Sequence, residues 1–230
     1  MKLSIIIPVH NEQELIAKVL RQILGITLDG LEREIIVVDD GSRDASLAII
    51  QELARHHPEI RPIAAPINMG KGAAVRIGFS LADGDLLMIQ GADLELDPKE
   101  CSRLLAPILA GEADVIYGSR FRNPPKGLPF LYLWGNRFLT WTTNLLYGSH
   151  LTDMETAYKL FKVEVVRSLR LRCVGFDIEP EITVKVLKAG YRIMEIPISY
   201  APRTSQEGKK LFWRDGLDAL YTLLKYRFLE

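Results

Sequence analysis

The stretch Asp85-Leu86-Leu87-Met88-Ile89-Gln90-Gly91-Ala92-Asp93-Leu94-Glu95-Leu96-Asp97-Pro98 decides how the chain is read. Its first half is a short run of large apolar residues, the signature of a strand buried on both faces of a sheet. The character then flips, and acids stand at positions 93, 95 and 97. In extended chain, residues two apart project to the same side, so Asp93 and Glu95 are placed to aim carboxylates at one point. Two hard oxygen ligands at the carboxyl end of a buried strand suit Mg²⁺ or Mn²⁺, particularly an ion shared with a phosphate. Asp97 has a plainer reading: it precedes Pro98, as a helix N-cap precedes proline at the first helical position.

Outward from this stretch the same grammar repeats. Leu3-Ser4-Ile5-Ile6-Ile7-Pro8-Val9 reads as a buried strand, followed by a helix with Leu15, Ile16, Val19, Leu20 and Ile23 on one face. Glu34-Ile35-Ile36-Val37-Val38 is a second strand, stopped by Asp39-Asp40-Gly41-Ser42, and Asp44 is placed to cap the helix carrying Leu47, Ile50 and Leu53. A third strand near 61–65 leads into Asn68-Met69-Gly70-Lys71-Gly72 and a helix through Leu81. Strands follow at 113–118, at Leu160-Phe161 and near 192–200, with a helix over 179–188. Strands alternating with helices of this length predict an α/β fold, a mostly parallel central sheet with helices on both faces.

The chain has 230 residues, which one large domain accommodates. Its 29 basic and 29 acidic residues balance, so no global field argues for nucleic acid. Cys101 and Cys173 lie far apart without metal-ligand spacing and read as reduced thiols in a cytoplasmic protein. The apolar run over 3–9 is too short for a signal-peptide core, and no run approaches the roughly 20 residues that span a bilayer. A soluble or peripheral chain is expected.

One segment departs from this ordinary composition. From 119 to 152 there is no Asp or Glu, while Arg120, Arg122, Lys126 and Arg137 are present. Trp134 and Trp141 fall here, with Phe130, Tyr132, Phe138 and Tyr147 around them. The last helix sets Trp213, Leu217, Leu220, Tyr221, Leu224 and Phe228 on one broad face. Aromatics mixed with cations suit a membrane headgroup interface; packing into a core is the competing reading.

The strand ends carry the chemistry. A carboxylate of Asp39-Asp40 can accept from a ribose hydroxyl or a base N–H, or can close an Asx-type turn. The glycine-flanked Lys71 can approach a diphosphate, or mark only a tight turn. Pro8-Val9-His10-Asn11-Glu12 after the first strand is neither a dinucleotide-binding nor a P-loop glycine pattern. His10, beside that motif, lines a pocket at the strand end; His56, His57 and His150 read as surface or turn residues.

The chain resembles family 2 glycosyltransferases of the GT-A fold, and among them the dolichyl-phosphate mannose synthase and polyprenyl-phosphate glycosyltransferase group. The resemblance is carried in order by Ile7-Pro8-Val9-His10-Asn11-Glu12, Val38-Asp39-Asp40-Gly41-Ser42-Arg43-Asp44, Asn68-Met69-Gly70-Lys71-Gly72, Gly91-Ala92-Asp93-Leu94-Glu95, Gly118-Ser119-Arg120, Asp153-Met154-Glu155-Thr156-Ala157-Tyr158-Lys159 and Pro202-Arg203-Thr204 with Glu207-Gly208-Lys209-Lys210. It implies an inverting hexosyltransferase that moves mannose or glucose from GDP-mannose or UDP-glucose to a dolichyl or undecaprenyl phosphate. Pro8, His10, Glu12, Asp39, Asp40, Lys71 and Ala92 would hold the nucleotide, and Asp93 and Glu95 the Mg²⁺ or Mn²⁺. Asp93, Arg120, Asp153 and Arg203 would be catalytic, and Arg120, Arg137, Arg203 and Lys209 would face the acceptor phosphate. The implied layout is a catalytic domain over 1–200, with an acceptor segment inserted at 119–152. A C-terminal loop and amphipathic helix over 201–230 would follow, the whole peripheral on the cytoplasmic face of a membrane.

One position departs from the family pattern Asp-Ala-Asp: Gly91 stands where the first Asp belongs. The alternative reading is therefore a catalytically impaired homologue that still binds a sugar nucleotide. A nucleotidyltransferase would be expected to carry a glycine-rich loop straight after the first strand, which Pro8 to Glu12 does not supply. A phosphate monoester has a second pKa near ~6, so the attacking oxygen needs no general base.

Overall fold

Ile and Val fill the middle of two segments near the start of the chain, and both become strands with no exposed face: β1 (Lys2–Val9) and β2 (Glu32–Asp39). β3 (Ile60–Ala64), β4 (Leu86–Ile89), β5 (Val115–Ser119), β6 (Lys159–Lys162) and β7 (Ile193–Pro197) join them in a sheet of order β3-β2-β1-β4-β6-β5-β7. The computed structural model describes residues 1–28, 30–124, 128, 130–203 and 213–229. Lys126, Thr204, Glu207, Gly208, Lys209 and Lys210, and with them the acceptor-phosphate role expected of Lys209, lie outside the described residues.

Period-two alternation assigns the two faces. Ile5 and Ile7 of β1 point toward α1 (Ile16–Leu24), whose Ile16, Val19, Leu20 and Ile23 are buried as the spacing predicts. α2 (Ser46–His56) follows β2. Ile6 points the other way, into a cluster with Val75 of α3 (Lys71–Leu81). α4 (Cys101–Leu109) adds Leu104, Leu105 and Ile108 to the first face. Asp97 accepts the Lys99 N–H at 3.0 Å with Pro98 behind it, the cap foreseen from sequence.

The sheet is parallel except at β6, which runs antiparallel to both β4 and β5. Its register sets Lys159 opposite both Ile89 and Tyr117. The loop before β6 therefore emerges at the edge where β4 and β5 end. Alternation of strands and helices could not foretell that reversal.

α5 (Phe130–Tyr147), α6 (Val163–Ser168), α7 (Ile178–Lys188) and α8 (Trp213–Phe228) complete the chain. α8 packs through Ala219, Leu223 and Tyr226 against Leu139 of α5 and Val184 of α7. The face predicted from apolar spacing is mostly a different one: Leu217, Tyr221, Leu224 and Phe228 are exposed, Leu220 is partly buried against the same cluster, and the Trp213 side chain lies outside the described residues. Apolar residues run all round α8, so periodicity alone did not select the packed side. α5 behaves alike, exposing Phe130, Trp134, Phe138, Trp141 and Leu145 at helical spacing. Core packing is thus excluded for both tryptophans of the 119–152 segment. No described helix is long and apolar enough to cross a membrane.

Candidate active site

The carboxyl ends of β1, β2, β4 and β5 and the start of β6 share one edge of the sheet, where open α/β sheets bind ligands. At the end of β2, Asp39 is buried and its Oδ2 accepts the Ser42 N–H at 3.1 Å. Its Oδ1 is also buried and has no hydrogen-bond partner among the described residues. Buried acceptors are seldom left so, and this one is free to take a donor from a ligand.

Asp40 is used differently. Its oxygens accept the N–H groups of Met69 at 2.7 Å and Gly70 at 2.8 Å, tying the 68–70 loop to β2. Gly70 has φ +98°, and a Cβ there would meet the Val174 carbonyl oxygen at 2.4 Å, so glycine is required. The turn brings Lys71 to the start of α3, where its Nζ donates to Glu179 Oε1 at 2.7 Å. His10 Nδ1 lies 2.8 Å from the Asp40 carbonyl oxygen, and the Glu12 N–H donates to Ser46 Oγ at 2.8 Å. Pro8 pairs with Val38 across the strands, and Ala92 is buried beneath the edge.

Beyond β4 the chain does not stay extended, which corrects the alternation argument for Asp93 and Glu95. Leu94 adopts φ +56°, and Asp93 Oδ1 accepts the Glu95 N–H at 3.2 Å. Both carboxylates instead meet one cation-bearing segment. Glu95 Oε1 accepts the Arg203 N–H at 2.9 Å and Oε2 accepts the Tyr200 hydroxyl at 3.3 Å. The Arg203 guanidinium donates to Glu12 at 3.0 and 3.1 Å and lies 3.4 Å from Asp93 Oδ2. Burial weakens the hold of Arg203 on its proton, and bonding to Glu12 with the nearby Asp93 more than restores it.

Gly91 needs no special backbone: it is not among the left-handed glycines, and the nearest atom to an added Cβ would be Asp93 Oδ1, at 2.9 Å. Among the described residues no three His, Cys, Asp or Glu side chains group as metal ligands. Asp93 presents a partly exposed carboxylate, while Glu95 is committed to Arg203 and Tyr200. That donor set fits an ion held jointly with a diphosphate, since Mg²⁺ commonly takes one or two carboxylates plus phosphate oxygens and waters.

Arg120 follows β5 and is turned inward. It pairs with the buried Asp153 through Nε and NH2, both at 2.7 Å, and its NH1 and NH2 reach Tyr132 at 2.7 Å and Asn136 at 3.2 Å. Four of the five guanidinium N–H groups are so engaged, which gives Arg120 a positioning geometry rather than a free face for phosphate. The Tyr132 and Tyr200 hydroxyls lie 2.9 Å apart and link this pair to Glu95. Arg137 is not brought to the edge network; it lines a separate cleft of about 300 Å³ with Phe121, Thr140, Trp141 and Thr152.

Sequence reasoning missed a second buried ion cluster. Lys159, fully buried, donates to Glu179 and to the carbonyls of Met154 and Thr156. Burial would raise the Glu179 carboxyl, but Lys159 and Lys71 hold it below the usual carboxylate range. Beside it, burial pushes the Glu155 carboxyl up to about 7 despite the nearby Lys159. The only local signal was two charges inside an apolar β6 and α7 environment; the pairing of Lys71 with Glu179 joins residues 108 positions apart.

Residues 4–170 match the family model of Glycosyl transferase family 2. The chain is 30% identical to a dolichol-phosphate mannosyltransferase of Pyrococcus furiosus, over 98% of this chain and 64% of that protein. It is 28% identical to an undecaprenyl-phosphate mannosyltransferase of Micrococcus luteus, over 91% of this chain and 87% of that protein. Among solved structures it superposes with TM-score 0.74 on glucosyl-3-phosphoglycerate synthase from Mycobacterium tuberculosis, crystallised with Mn²⁺, uridine diphosphate and phosphoglyceric acid. That match has 19% identity and covers 100% of this chain and 79% of the other.

Proposed function

Because the chain belongs to glycosyl transferase family 2 and has the GT-A fold, we propose that it transfers a hexose from a nucleotide-sugar to a polyprenyl phosphate with inversion at the anomeric carbon. The observation that carries this is the unpartnered Asp39 Oδ1 on the same edge as the Glu12, Asp93 and Arg203 cluster. A nucleoside acceptor stands at one end and a charged diphosphate site beside it. Asp39 takes the nucleoside, with Pro8, His10, Glu12 and Ala92 shaping its pocket, while Asp40 and Lys71 hold the loop that closes it.

Asp93 would hold Mg²⁺ or Mn²⁺ together with the diphosphate, and Glu95 would keep the Arg203 segment against it. Such an ion, when bound, neutralises charge on the departing diphosphate. The chain's own residues supply the rest. Arg203 turns from Glu12 and Asp93 to the phosphates of donor and acceptor, and Asp153 holds Arg120 so that Tyr132 and Tyr200 are fixed in the wall. One acceptor phosphate oxygen forms the new bond to the anomeric carbon as the bond to the nucleoside diphosphate breaks. No general base is required, since the acceptor is already largely ionised at neutral pH.

A lipid-borne acceptor requires contact with a bilayer. Residues 1–200 would form the catalytic unit, and the 119–152 segment with α8 would meet the cytoplasmic leaflet through their exposed apolar stripes. A second reading, a homologue that binds sugar nucleotides without turnover, is favoured by Gly91. A screen of nucleotide-sugars with a short-chain polyprenyl phosphate, with and without Mn²⁺, separates the two. Metal-dependent formation of the glycosyl lipid is expected. Binding without product selects the impaired homologue, and no binding of any nucleotide removes both.

A further inference from the structure

Along the ligand edge, the sheet order β2-β1-β4-β6-β5 fixes the order of the functional groups. Asp39 ends β2, Glu12 follows β1, Asp93 follows β4, Glu155 precedes β6, and Arg120 follows β5. Neighbouring strands lie about 4.8 Å apart. The strand that Glu155 precedes is thus one beyond that of Asp93, and three strands, roughly 14 Å across the sheet, beyond that of Asp39. That span matches a nucleoside diphosphate extended by one sugar ring.

The loop holding Glu155 is tied down on either side of it. Asp153 is paired with Arg120, and Thr156 Oγ1 donates to the Gly118 carbonyl at 2.6 Å. Yet Glu155 Oε1 is buried with no hydrogen-bond partner among the described residues. The charged groups that act on it are Lys159, Glu179, Arg120 and Asp153. Both cations are already committed, Lys159 to Glu179 and two carbonyls, Arg120 to Asp153, Tyr132 and Asn136. A carboxylate oxygen buried beside two satisfied cations lacks a donor that a ligand hydroxyl can supply.

We infer that Glu155 accepts a hydrogen bond from a hydroxyl of the donor's hexose, and so lets the site distinguish a nucleotide-sugar from the bare nucleoside diphosphate. This rests on the glycosyltransferase reading above. Asp39 Oδ1 is its counterpart at the nucleoside end, and the acid cluster of Glu12 and Asp93 lies between them.

The test is titration calorimetry at pH 8, where Glu155 is ionised, in Mn²⁺ with UDP, GDP, UDP-glucose and GDP-mannose, on wild type, Glu155→Ala and Glu155→Gln. Glu155→Ala should weaken the nucleotide-sugar that wild type prefers by about tenfold or more, the scale of a hydrogen bond to a charged group. Binding of the matching diphosphate should stay within about twofold. Glu155→Gln keeps an acceptor oxygen and should recover most of the loss. Thermal unfolding is the control: an oxygen without a partner stabilises nothing, so Glu155→Ala should melt no lower than wild type. Equal nucleotide-sugar affinity in wild type and Glu155→Ala, or an equal loss for the diphosphate, overturns the inference. So does a Glu155→Ala protein that melts well below wild type, which assigns Glu155 a structural role. Wild type that binds a diphosphate but neither nucleotide-sugar overturns this inference alone; wild type that binds none of the four overturns the donor reading beneath it.

Discussion

Arg203 and Glu12, 191 positions apart in the chain, face each other through two bonds of 3.0 and 3.1 Å. The pair ties the segment after β7 to the loop after β1, directly over the acid cluster. It makes a cation the resting neighbour of carboxylates that would otherwise repel an incoming diphosphate.

Removing the guanidinium takes two hydrogen bonds from the buried Glu12 carboxylate, a change that costs on the order of 1–3 kcal/mol. Arg203→Ala should therefore lower the melting temperature by several degrees, at roughly 2–4 °C per kcal/mol for a chain of this size. A double-mutant cycle with Glu12→Gln should return a coupling of about 1–2 kcal/mol. Arg203→Lys should recover little, because an ammonium cannot make the two-pronged contact. Additive single effects would show that the pair does not hold the two loops together.

Asp93→Ala addresses the metal. With Glu95 engaged by Arg203 and Tyr200, Asp93 is the carboxylate proposed to hold an ion. The variant should lose the Mn²⁺-dependent part of nucleoside diphosphate binding, a fall of about tenfold or more by calorimetry. The same affinity and the same metal dependence as wild type would remove Asp93 from the site.

Gly91→Asp restores the carboxylate missing from the family pattern. The backbone at 91 is outside the left-handed region, and the nearest atoms to the new Cβ are those of the Asp93 carboxylate. The fold should tolerate the change within about 1 kcal/mol, with a rise in turnover of about tenfold if Gly91 weakens ion binding. A stable variant with no gain would show that Gly91 does not limit turnover.

The strands that build this edge were legible because both faces of β1, β2 and β4 are buried, leaving uninterrupted runs such as Ile5-Ile6-Ile7 and Ile35-Ile36-Val37-Val38. The residues at the strand ends were legible as acids that a core would not otherwise carry. Their partners were not. Strand alternation predicted that Asp93 and Glu95 would share a target, but Leu94 turns into the left-handed region and Arg203, far along the chain, reorganises both. Lys71 read as either a diphosphate ligand or part of a tight turn, and nothing nearby in sequence points to its partner Glu179. On α8, apolar spacing found a true stripe and could not tell that Ala219, Leu223 and Tyr226 would take the packed side.

Glu155 also makes a prediction about pH. Its carboxyl holds a proton up to about 7 in the folded chain, against 4.5 for the ordinary group, with Lys159 opposing and Glu179 adding to the effect of burial. The folded state therefore binds more protons between those values. The group's contribution to stability is full below about 4.5 and is lost as pH rises through about 7. Glu155→Gln, which cannot ionise, should gain on wild type across that window by on the order of 2 kcal/mol, after allowance for partial solvent contact. Urea unfolding of both proteins at pH 5 and pH 8 measures the gain. A stability difference that is the same at both values would mean that Glu155 is not held protonated by burial.

The exposed stripes of α5 and α8 yield the last prediction. The two helices pack against each other through Leu139, Ala219 and Leu223, and each keeps an apolar stripe exposed. On α5 that face carries Phe130, Trp134, Phe138, Trp141 and Leu145, and on α8 Leu217, Tyr221, Leu224 and Phe228. Contiguous apolar surface of this kind marks an interaction site, and cations border it: Arg137 on α5, with Lys225 and Arg227 in the last turn of α8. An interfacial pair of helices combines these features, apolar area to enter the acyl boundary and basic groups for anionic headgroups. Wild type should sediment with anionic vesicles at low salt and release partly as ionic strength screens the basic groups. Each large apolar side chain fully withdrawn from water contributes roughly 1.5–3 kcal/mol. Replacing Trp134, Phe138 and Tyr221 by serine should therefore reduce vesicle binding by well over about tenfold, even if each is only partly inserted. Because all three side chains are exposed, the triple variant should keep the wild-type melting temperature and still bind nucleoside diphosphate. Wild type that stays in the supernatant at low salt, or a triple variant that sediments as well as wild type, would assign the stripes to some other surface than a bilayer.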